Sequence, residues 1–358
     1  MIKVKAPGKL YLAGEYAVVE TGNPSIIAAV NRFVTVTVKE TVDYGTISSQ
    51  QFQKTLLRWQ RVNSEMVLDN RDNPFQYIVS AIQVAESYAK SLNIEMKTYD
   101  IEVDSELDSG DGKKYGLGSS AAVTVATIKA ICKLYKLNLS KIELFKLAAI
   151  SHFEVQGNGS LGDIASSVFG GLISYSSFDR AWLSEFRKKV SLDHLIKLEW
   201  PYLEIIPLKI PSVLQFLVGW SGAPASTSHL IDKVELTKGS NQQQYQKFVH
   251  DSDKRVHEIT NGFNQNNVDL IMDSIKHNRD LLLGLGKLAN VAIETPKLTK
   301  LIEIADEFGG AAKTSGAGGG DCGIVLIRNT SEVQQVINKW RDNDIELLDI
   351  KIYNYPEE

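Results

Sequence analysis

Residues 114–124, KYGLGSSAAVT, place two glycines and two serines directly before an alanine-rich segment that is typical of a helix. Small residues that lead into a helix N-terminus let several backbone N–H groups point at one anion, and the helix dipole adds roughly half a positive charge there. The serine hydroxyls can bind phosphate oxygens, and one of them can reach a magnesium ion that accompanies a nucleotide. The segment therefore predicts a phosphate-binding loop, while a tight turn with serine caps would fit the same residues.

Two other nucleotide-binding patterns do not fit the chain. It contains no G-x-x-x-x-G-K-[ST] segment, which excludes a P-loop of the Walker type. Gly116, Gly118 and Ala121 match the spacing of a dinucleotide-binding loop, but a polar stretch leads into them where that site requires a strand. A dinucleotide site is therefore disfavoured.

Two further segments combine glycine with reactive side chains. Residues 315–323, SGAGGGDCG, hold five glycines in nine positions and precede an apolar strand. Such density lets the backbone approach a ligand closely, at a cost of up to about 1 kcal/mol per glycine relative to alanine; a bulge between strands is the alternative. Residues 6–16, APGKLYLAGEY, hold Lys9 after the first strand and Glu15 and Tyr16 further on. A lysine in a loop is, by itself, most often a solvated surface charge.

Taken together, these three segments resemble, in their order and spacing, the signature motifs of the GHMP kinases, the family of galactokinase, homoserine kinase, mevalonate kinase and phosphomevalonate kinase. The motifs lie at 6–22, 114–124 and 313–323, so the resemblance spans almost the whole chain. Within the family, the tyrosine of GKLYLAGEYAV, the lysine of KYGLGSSAA and the Asp-Cys pair of KTSGAGGGDCG look most like the bacterial phosphomevalonate kinase subgroup. The segments GSLGDIA at 159–165 and GWSGAPASTS at 219–228 look like it as well.

The resemblance implies an ATP- and Mg²⁺-dependent kinase that converts 5-phosphomevalonate to 5-diphosphomevalonate in isoprenoid synthesis. It implies that Lys9 and Asp163 flank the transferring phosphoryl group, and that Ser120 binds Mg²⁺. The nucleotide-binding residues that it implies are Lys114, Gly116, Leu117, Gly118, Ser119 and Ser120; Lys114 could also contact the phosphorylated substrate. The substrate-binding residues that it implies are Glu15, Tyr16, Ser160, Ser226, Gly316, Ala317 and Gly318. Some family members supply a second Mg²⁺ ligand from a glutamate ahead of the catalytic aspartate, and Glu154 is the nearest candidate, at a spacing that does not match cleanly.

The role expected of Asp163 depends on the acceptor. A carboxylate at the start of a short helix can simply cap that helix. If the acceptor is an alcohol such as mevalonate, Asp163 is a natural general base. A phosphate monoester has a second pKa of about 6 and is mostly dianionic at neutral pH, so it needs no strong base. With that acceptor we expect Asp163 to orient Lys9 and the metal.

The resemblance also leaves alternative functions. The nearest is mevalonate kinase or another small-alcohol kinase of the family, and a diphosphomevalonate decarboxylase fits the first and third segments less well. A sensor that binds ATP without turnover belongs to a different class. The presence of Lys9, Ser120 and Asp163 in one chain argues against the sensor.

The elements that must position these residues predict an α+β fold. At 358 residues, and about 150 residues per domain, the chain is expected to form two domains with a cleft between them. The family resemblance implies residues 1–195 as an ATP-binding domain like ribosomal protein S5 domain 2, and residues 196–358 as a ferredoxin-like domain. Between the clearest strands we expect residues 7–24 to form a loop with a short structured middle. Residues 180–200 read as an irregular linker.

Composition restricts the partners and the compartment. A net charge of −4 argues against a nucleic-acid or anionic-membrane binder, because such proteins need a basic field. No run of about 18 apolar residues suggests a membrane span, and lysines break up the N-terminal apolar residues where a signal peptide would be continuous. Cys132 and Cys322 are the only cysteines, which is consistent with a reducing compartment. We therefore expect a cytoplasmic protein, as a monomer or a homodimer.

Overall fold

The chain folds around two β-sheets in the computed structural model, which describes residues 1–50, 55–69, 73–108, 115–222 and 227–356. The strands are β1 Ile2–Ala13, β2 Pro24–Thr41, β3 Gly45–Ser49, β4 Leu56–Val62, β5 Glu65–Leu68, β6 Thr98–Ser105, β7 Leu172–Ser176, β8 Glu204–Leu208, β9 Leu214–Trp220, β10 Ala311–Thr314, β11 Cys322–Arg328 and β12 Glu346–Leu348. The α-helices are α1 Gln76–Ser91, α2 Ser119–Leu134, α3 Lys141–Gln156, α4 Gly162–Phe169, α5 Arg180–Phe186, α6 Leu192–Leu195, α7 Thr227–Ser240, α8 Gln242–Gln265, α9 Val268–Ala289, α10 Pro296–Glu307 and α11 Glu332–Asp342.

The larger sheet is organised around β2. Its strand order is β5-β4-β3-β6-β2-β7-β8, with β1 paired to β2 outside this path. The valines of β2, such as Val34, Val36 and Val38, are buried, while the residues between them are half-buried, which is the period-2 alternation expected of a sheet with one face on the core. Helices α2 and α4 pack on β1 and β2, and α1 and α3 pack on α2. The N-termini of α2 and α4 are thereby fixed relative to β1.

The smaller sheet has the order β10-β11-β9-β12 and is antiparallel throughout. Its strands follow the sequence strand, helices, strand, strand, helix, strand, which is the ferredoxin-like arrangement. A separate apolar cluster that includes Leu301, Val325 and Trp340 forms its core. The predicted α+β, two-domain fold is therefore confirmed. The boundary after residue 195 stays a prediction; β8 pairs with β7, so the larger sheet extends to Leu208.

Two segments that we expected to be irregular are regular. Strand β1 continues through Pro7 and Gly8 to Ala13, so only residues 14–23 form a loop. The short structured middle that we expected is a 3₁₀-helix at Ala17–Val19. Proline is tolerated there because the pairing of β1 with β2 shifts register between Pro7 and Gly8, and a bulge leaves room for a residue without an N–H group. Residues 180–200 contain α5 and α6, and Asp179 caps α5 by accepting a hydrogen bond from the N–H of Trp182.

A strap formed by residues 351–355 returns from the smaller sheet to the larger one. The N–H of Asn31 donates to the carbonyl of Lys351 at 3.0 Å, and the N–H of Tyr353 donates to the carbonyl of Ala29 at 2.9 Å. These contacts fill the edge of β2 between the stretches that pair with β7 and β6. At the far end of the strap, the hydroxyl of Tyr355 donates to the carbonyl of Ser167 in α4 at 2.8 Å.

Among the described residues, the structure contains no helix that is both long enough and apolar enough to cross a membrane.

Two glycine-to-alanine substitutions test the packing, because they should change the free energy of unfolding in opposite directions. A Cβ at Gly45 would overlap the carbonyl oxygen of Tyr99 and the ring of Trp59, whereas a Cβ at Gly284, which is exposed in α9, would meet nothing. We expect Gly45→Ala to lower the free energy of unfolding by about 1–3 kcal/mol, because overpacking forces the core to shift. Gly284→Ala should raise it by up to about 1 kcal/mol, because alanine favours the helix. Urea denaturation measures both, and equal effects would contradict the packing described for β3.

Candidate active site

A cleft between the two sheets brings the three glycine-bearing segments together. We call residues 6–16 the N-terminal segment and residues 315–323 the glycine-rich loop. Residues 116–120, which the sequence predicts to bind phosphate, are called the nucleotide loop. All three contribute to the cleft wall, as do the end of α3, the start of α4 and helices α7 and α8. Its polar lining includes Lys9, Tyr11, Glu15, Tyr16, Gly116, His152, Ser160, Asp163, Ser315 and Asp321.

Lys9 attaches the N-terminal segment to the nucleotide loop at two points. Its backbone N–H donates to the carbonyl of Leu117 at 2.9 Å, and its Nζ donates to the carbonyl of Gly116 at 3.0 Å. Burial lowers the pKa of Lys9, while the nearby carboxylates of Asp163 and Asp321 act in the opposite direction. The amino group is therefore buried beside the loop, close enough to two carboxylates to interact with both.

The nucleotide loop needs glycine because other parts of the site approach it closely. Gly116 and Gly118 have φ values of 75° and 78°, which favour glycine. A Cβ on Gly116 would overlap the carboxylate of Asp321, and a Cβ on Gly118 would lie 3.0 Å from Cε of Lys9. Backbone and side chains of all three segments therefore meet at this loop.

The nucleotide loop ends at an uncapped helix. Gly118 is the N-cap of α2 and provides no side-chain hydrogen bond to the first turn. The first N–H groups of a helix have no partner inside the helix, so they can bind an anion. Ser119 and Ser120 also line a second pocket, which runs between α1 and β6 and is bounded by Phe75, Tyr77, Ile78, Val103 and Val123.

The glycine-rich loop is fixed to the N-terminal segment by two hydrogen bonds. The N–H of Tyr11 donates to Oγ of Ser315 at 2.8 Å, and the hydroxyl of Tyr16 donates to the carbonyl of Ala317 at 2.6 Å. Tyr16 has a φ of 62°, which is rare for a residue with a side chain and is typical of strained functional positions. This backbone conformation allows the Tyr16 hydroxyl to reach the glycine-rich loop, and the hydrogen bond offsets part of the strain.

A buried ion pair joins the same two segments at their base. Nζ of Lys313 donates to a carboxylate oxygen of Glu15 and, at 2.7 Å, to the carbonyl of Thr314. The two side chains are 0% and 3% exposed, so neither charge is solvated. Burial lowers the pKa of Lys313, and the charge of Glu15 opposes this shift. A pair of this kind fixes geometry strongly, because removing one partner leaves the other charge buried.

Asp163 lies in the first turn of α4, and the residues before it form the turn that directs it. Leu161, the N-cap, has a φ of 64°, and the N–H of Gly162 donates to Oγ of Ser160 at 3.3 Å. The same Oγ lies 3.2 Å from the hydroxyl of Tyr11. Burial, together with the nearby charge of Asp163, raises the pKa of Tyr11, so its phenol remains a neutral hydrogen-bonding group.

His152 touches the nucleotide loop from the opposite wall. Its Nε2 lies 3.2 Å from Oγ of Ser120, and its ring stacks on that of Tyr77 with centroids 4.9 Å apart. The side chain is buried, and burial lowers its pKa, an effect that the charge of Asp163 opposes. No sequence pattern distinguishes this histidine, because a lone histidine in a helix has no characteristic spacing.

The structure brings most of the predicted site residues together. Lys9, Glu15, Tyr16, Gly116, Ser160, Asp163, Gly316 and Ala317 line the cleft, and Ser119 and Ser120 line the adjoining pocket. Leu117 is a buried residue of the loop, and Gly118 occupies the N-cap position of α2 without a capping side chain. Gly318 packs against the backbone of Ile293 instead of lining the cleft. Lys114 and Ser226 lie outside the described residues.

Glu154, the suggested second metal ligand, is not brought to the cleft. Its side chain is half-exposed and pairs with Arg187 at 3.3 Å. Sequence reasoning also assigned no role to Tyr11, Lys313 or Asp321, although all three lie inside the motif segments. Within the part of the chain that the structure describes, no cluster of three or more His, Cys, Asp or Glu side chains could hold a metal ion.

Two protein-family models identify the family to which the chain belongs. Residues 76–171 match the model of the GHMP kinases N terminal domain, and residues 262–345 match that of the GHMP kinases C terminal domain. The chain belongs to the GHMP kinases, which are ATP-dependent phosphotransferases. The resemblance noted from the three motif segments is therefore confirmed.

Individual relatives and solved structures match nearly the whole chain. Phosphomevalonate kinase of Streptomyces sp. (strain CL190) is 35% identical over 347 residues, which cover 94% of this chain and 92% of the relative. The structure of Streptococcus pneumoniae phosphomevalonate kinase in complex with phosphomevalonate and AMPPNP superposes with a TM-score of 0.87 at 29% identity, covering 99% of this chain and 100% of that one. The Lin0012 protein of Listeria innocua superposes with a TM-score of 0.92 at 38% identity, covering 98% and 99%.

Removing one partner of the buried ion pair should destabilise the protein strongly. We expect Lys313→Met to lower the free energy of unfolding by about 3–5 kcal/mol, because the carboxylate of Glu15 would stay buried without a counter-charge. Adding Glu15→Gln should recover much of this loss. Chemical denaturation of the two variants measures the effect, with Lys339→Met as a control, since Lys339 pairs with Glu307 on the surface and should cost less than about 1 kcal/mol. Equal costs at the two lysines would contradict the role of the buried pair.

Proposed function

We propose that the protein is a phosphomevalonate kinase, which transfers the γ-phosphoryl group of ATP to 5-phosphomevalonate and releases 5-diphosphomevalonate and ADP. The observation that carries the proposal is the placing of Lys9 and Asp163 in one cleft, directly beside the uncapped N-terminus of α2. The phosphomevalonate kinases of Streptomyces and Streptococcus, which match nearly the whole chain, support the choice of acceptor.

The nucleotide loop and the second pocket fit ATP. The first N–H groups of α2, whose N-cap glycine offers them no side-chain partner, and the hydroxyls of Ser119 and Ser120 provide donors for phosphate oxygens. The neighbouring pocket, with Phe75, Ile78 and Val103 on its walls, offers an apolar surface for the base. The two features adjoin at Ser120, as an extended nucleotide requires.

Mg²⁺ would be held by the nucleotide phosphates and the hydroxyl of Ser120, since a hydroxyl oxygen is a suitable ligand for this hard cation. When bound, it would neutralise charge on the β- and γ-phosphates. The chain's own residues must then supply the rest of the positive field and the orientation of both substrates.

Lys9 supplies that positive charge. It already donates to the carbonyl of Gly116, so its ammonium group stands at the mouth of the nucleotide loop. Charge on a phosphoryl group in transfer is spread over its oxygens, and a fixed cation stabilises this state without reorganisation. Asp163 lies near enough to interact with Lys9 and orients it, because a dianionic phosphate acceptor needs no strong base.

A small-alcohol kinase, such as mevalonate kinase, is the second candidate. The specific observation in its favour is the carboxylate of Asp163 in the cleft, where it could accept the proton of an alcohol. Coupled measurement of ADP release with ATP and each of mevalonate, 5-phosphomevalonate and 5-diphosphomevalonate distinguishes the candidates. Turnover with 5-phosphomevalonate alone is expected; turnover only with mevalonate would replace the proposal, and no turnover with any acceptor would favour a nucleotide-binding sensor.

The pH profile of an Asp163→Asn variant tests the role of that carboxylate. With 5-phosphomevalonate we expect a lower kcat, while the fall in kcat/KM below about pH 6 remains, because protonation of the acceptor phosphate causes it. The profile is compared with that of the wild type over the same range. An acidic limb that is present in the wild type and disappears in the variant would show that Asp163 is a general base and that the acceptor is an alcohol.

Replacing Lys9 should affect turnover more than binding. We expect Lys9→Met to lower kcat by roughly 100-fold or more, with a much smaller change in the KM of either substrate, because the charge matters most in the transition state. Steady-state kinetics measure the split, with Lys3→Met, on the exposed face of β1, as the control. Unchanged turnover in Lys9→Met would remove this lysine from the mechanism.

A further inference from the structure

His152 stands between the cleft and the second pocket. Its ring lines the cleft, whereas its two contact partners, Ser120 and Tyr77, line the pocket. The hydrogen bond to Ser120 and the stacking on Tyr77 therefore form part of the partition between the two spaces. In the proposed reaction the nucleotide occupies one side and the acceptor the other, so the phosphoryl group must cross beside this residue.

The orientation of the imidazole is fixed. The ring is 1% exposed, and stacking with an interplanar angle of 29° prevents it from rotating without losing its contact with Tyr77. Nδ1 is buried and, among the described residues, has no hydrogen-bond partner, so Nε2 makes the only polar contact of the ring. That contact is with a hydroxyl in the first turn of α2, whose backbone carbonyl is fixed in turn by the hydroxyl of Thr124 at 2.8 Å.

When a serine hydroxyl binds a cation through its oxygen, its O–H must donate a hydrogen bond elsewhere. The group has one donor and two lone pairs, and only the lone pairs can face a metal ion. The proton must then point to an acceptor on the side away from the metal, and partners that orient a ligand in this way affect metal affinity strongly. Nε2 of His152, 3.2 Å from Oγ, is placed to be that acceptor.

We propose that His152 is a positioning residue for Ser120: its Nε2 accepts the hydroxyl proton and turns the oxygen lone pairs of Ser120 toward the magnesium ion of the bound nucleotide. This inference rests on the proposed function, and it assigns the ring the tautomer in which the proton is on Nδ1. The hydroxyl of Tyr77, on which the ring of His152 stacks, also interacts with Ser120, so two aromatic side chains enclose the serine hydroxyl.

Metal-dependent nucleotide binding tests the proposal without catalysis. The probe is AMPPNP, with Mn²⁺ in place of Mg²⁺ so that free metal can be counted by electron paramagnetic resonance. We expect His152→Phe, which keeps a ring on Tyr77, to weaken binding of Mn²⁺–AMPPNP about 10- to 100-fold. Binding of AMPPNP in the presence of a chelator should be unchanged. His152→Gln, which can place an amide oxygen near Ser120, should recover much of the loss.

Two controls separate positioning from general damage. His250→Phe, an exposed position in α8, should bind Mn²⁺–AMPPNP like the wild type. Ser120→Ala should weaken binding as His152→Phe does, and the double variant should show no further loss, because both changes remove the same interaction. Additive losses, or wild-type affinity in His152→Phe, would overturn the proposal.

The tautomer is measured on the wild-type protein, so the proposal can be tested even if the variants fold poorly. Two-bond ¹⁵N–¹H spectra distinguish the ring nitrogens, and a proton on Nδ1 is expected; a proton on Nε2 would overturn the assignment. A different result is expected if the proposed function is wrong. The wild type would then bind no AMPPNP with or without metal, or would bind it and turn over no phosphomevalonate.

Discussion

The double attachment of Lys9 to the nucleotide loop is the constraint on which the site depends. One residue joins strand β1 to the loop through its backbone N–H and again through its side chain, at 2.9 and 3.0 Å. Because β1 is paired along β2, the loop inherits the rigidity of the larger sheet. Two other parts of the cleft come close to this pair, the glycine-rich loop through Asp321 and α4 through Asp163.

Positive charge in the cleft comes from individual side chains there, because the protein as a whole carries a negative net charge. The protein as a whole is acidic, with a net charge of −4, yet its proposed ligands are anions. Lys9 lies beside carboxylates whose attraction opposes the lowering of its pKa by burial, and Glu15 opposes the same effect on the pKa of Lys313 at the base of the loops. Attraction for phosphate therefore comes from a few oriented groups and from backbone N–H donors, and long-range electrostatic steering contributes little.

The sequence predicted the elements and the motifs better than the contacts between them. Glycine spacing and helix signals correctly indicated a tight glycine-bearing loop that leads into α2, because both depend on neighbouring residues. The continuation of β1 through Pro7 was missed, since a bulge that tolerates proline is visible only in the pairing with β2. His152 and Lys313 were missed for a similar reason: each gains its partner from a residue distant in sequence, Ser120 and Glu15 respectively, and neither has a local pattern.

The strap at 351–355 means that the polypeptide passes between the two sheets twice. One passage follows β8, and the other is the strap, which is hydrogen-bonded to β2 and touches the last turn of α4. The contacts of Tyr11 with Ser315 and of Tyr16 with Ala317 join the two parts at further places. The end of the chain thereby covers backbone groups of β2 that would otherwise form an open edge between two paired stretches of the larger sheet.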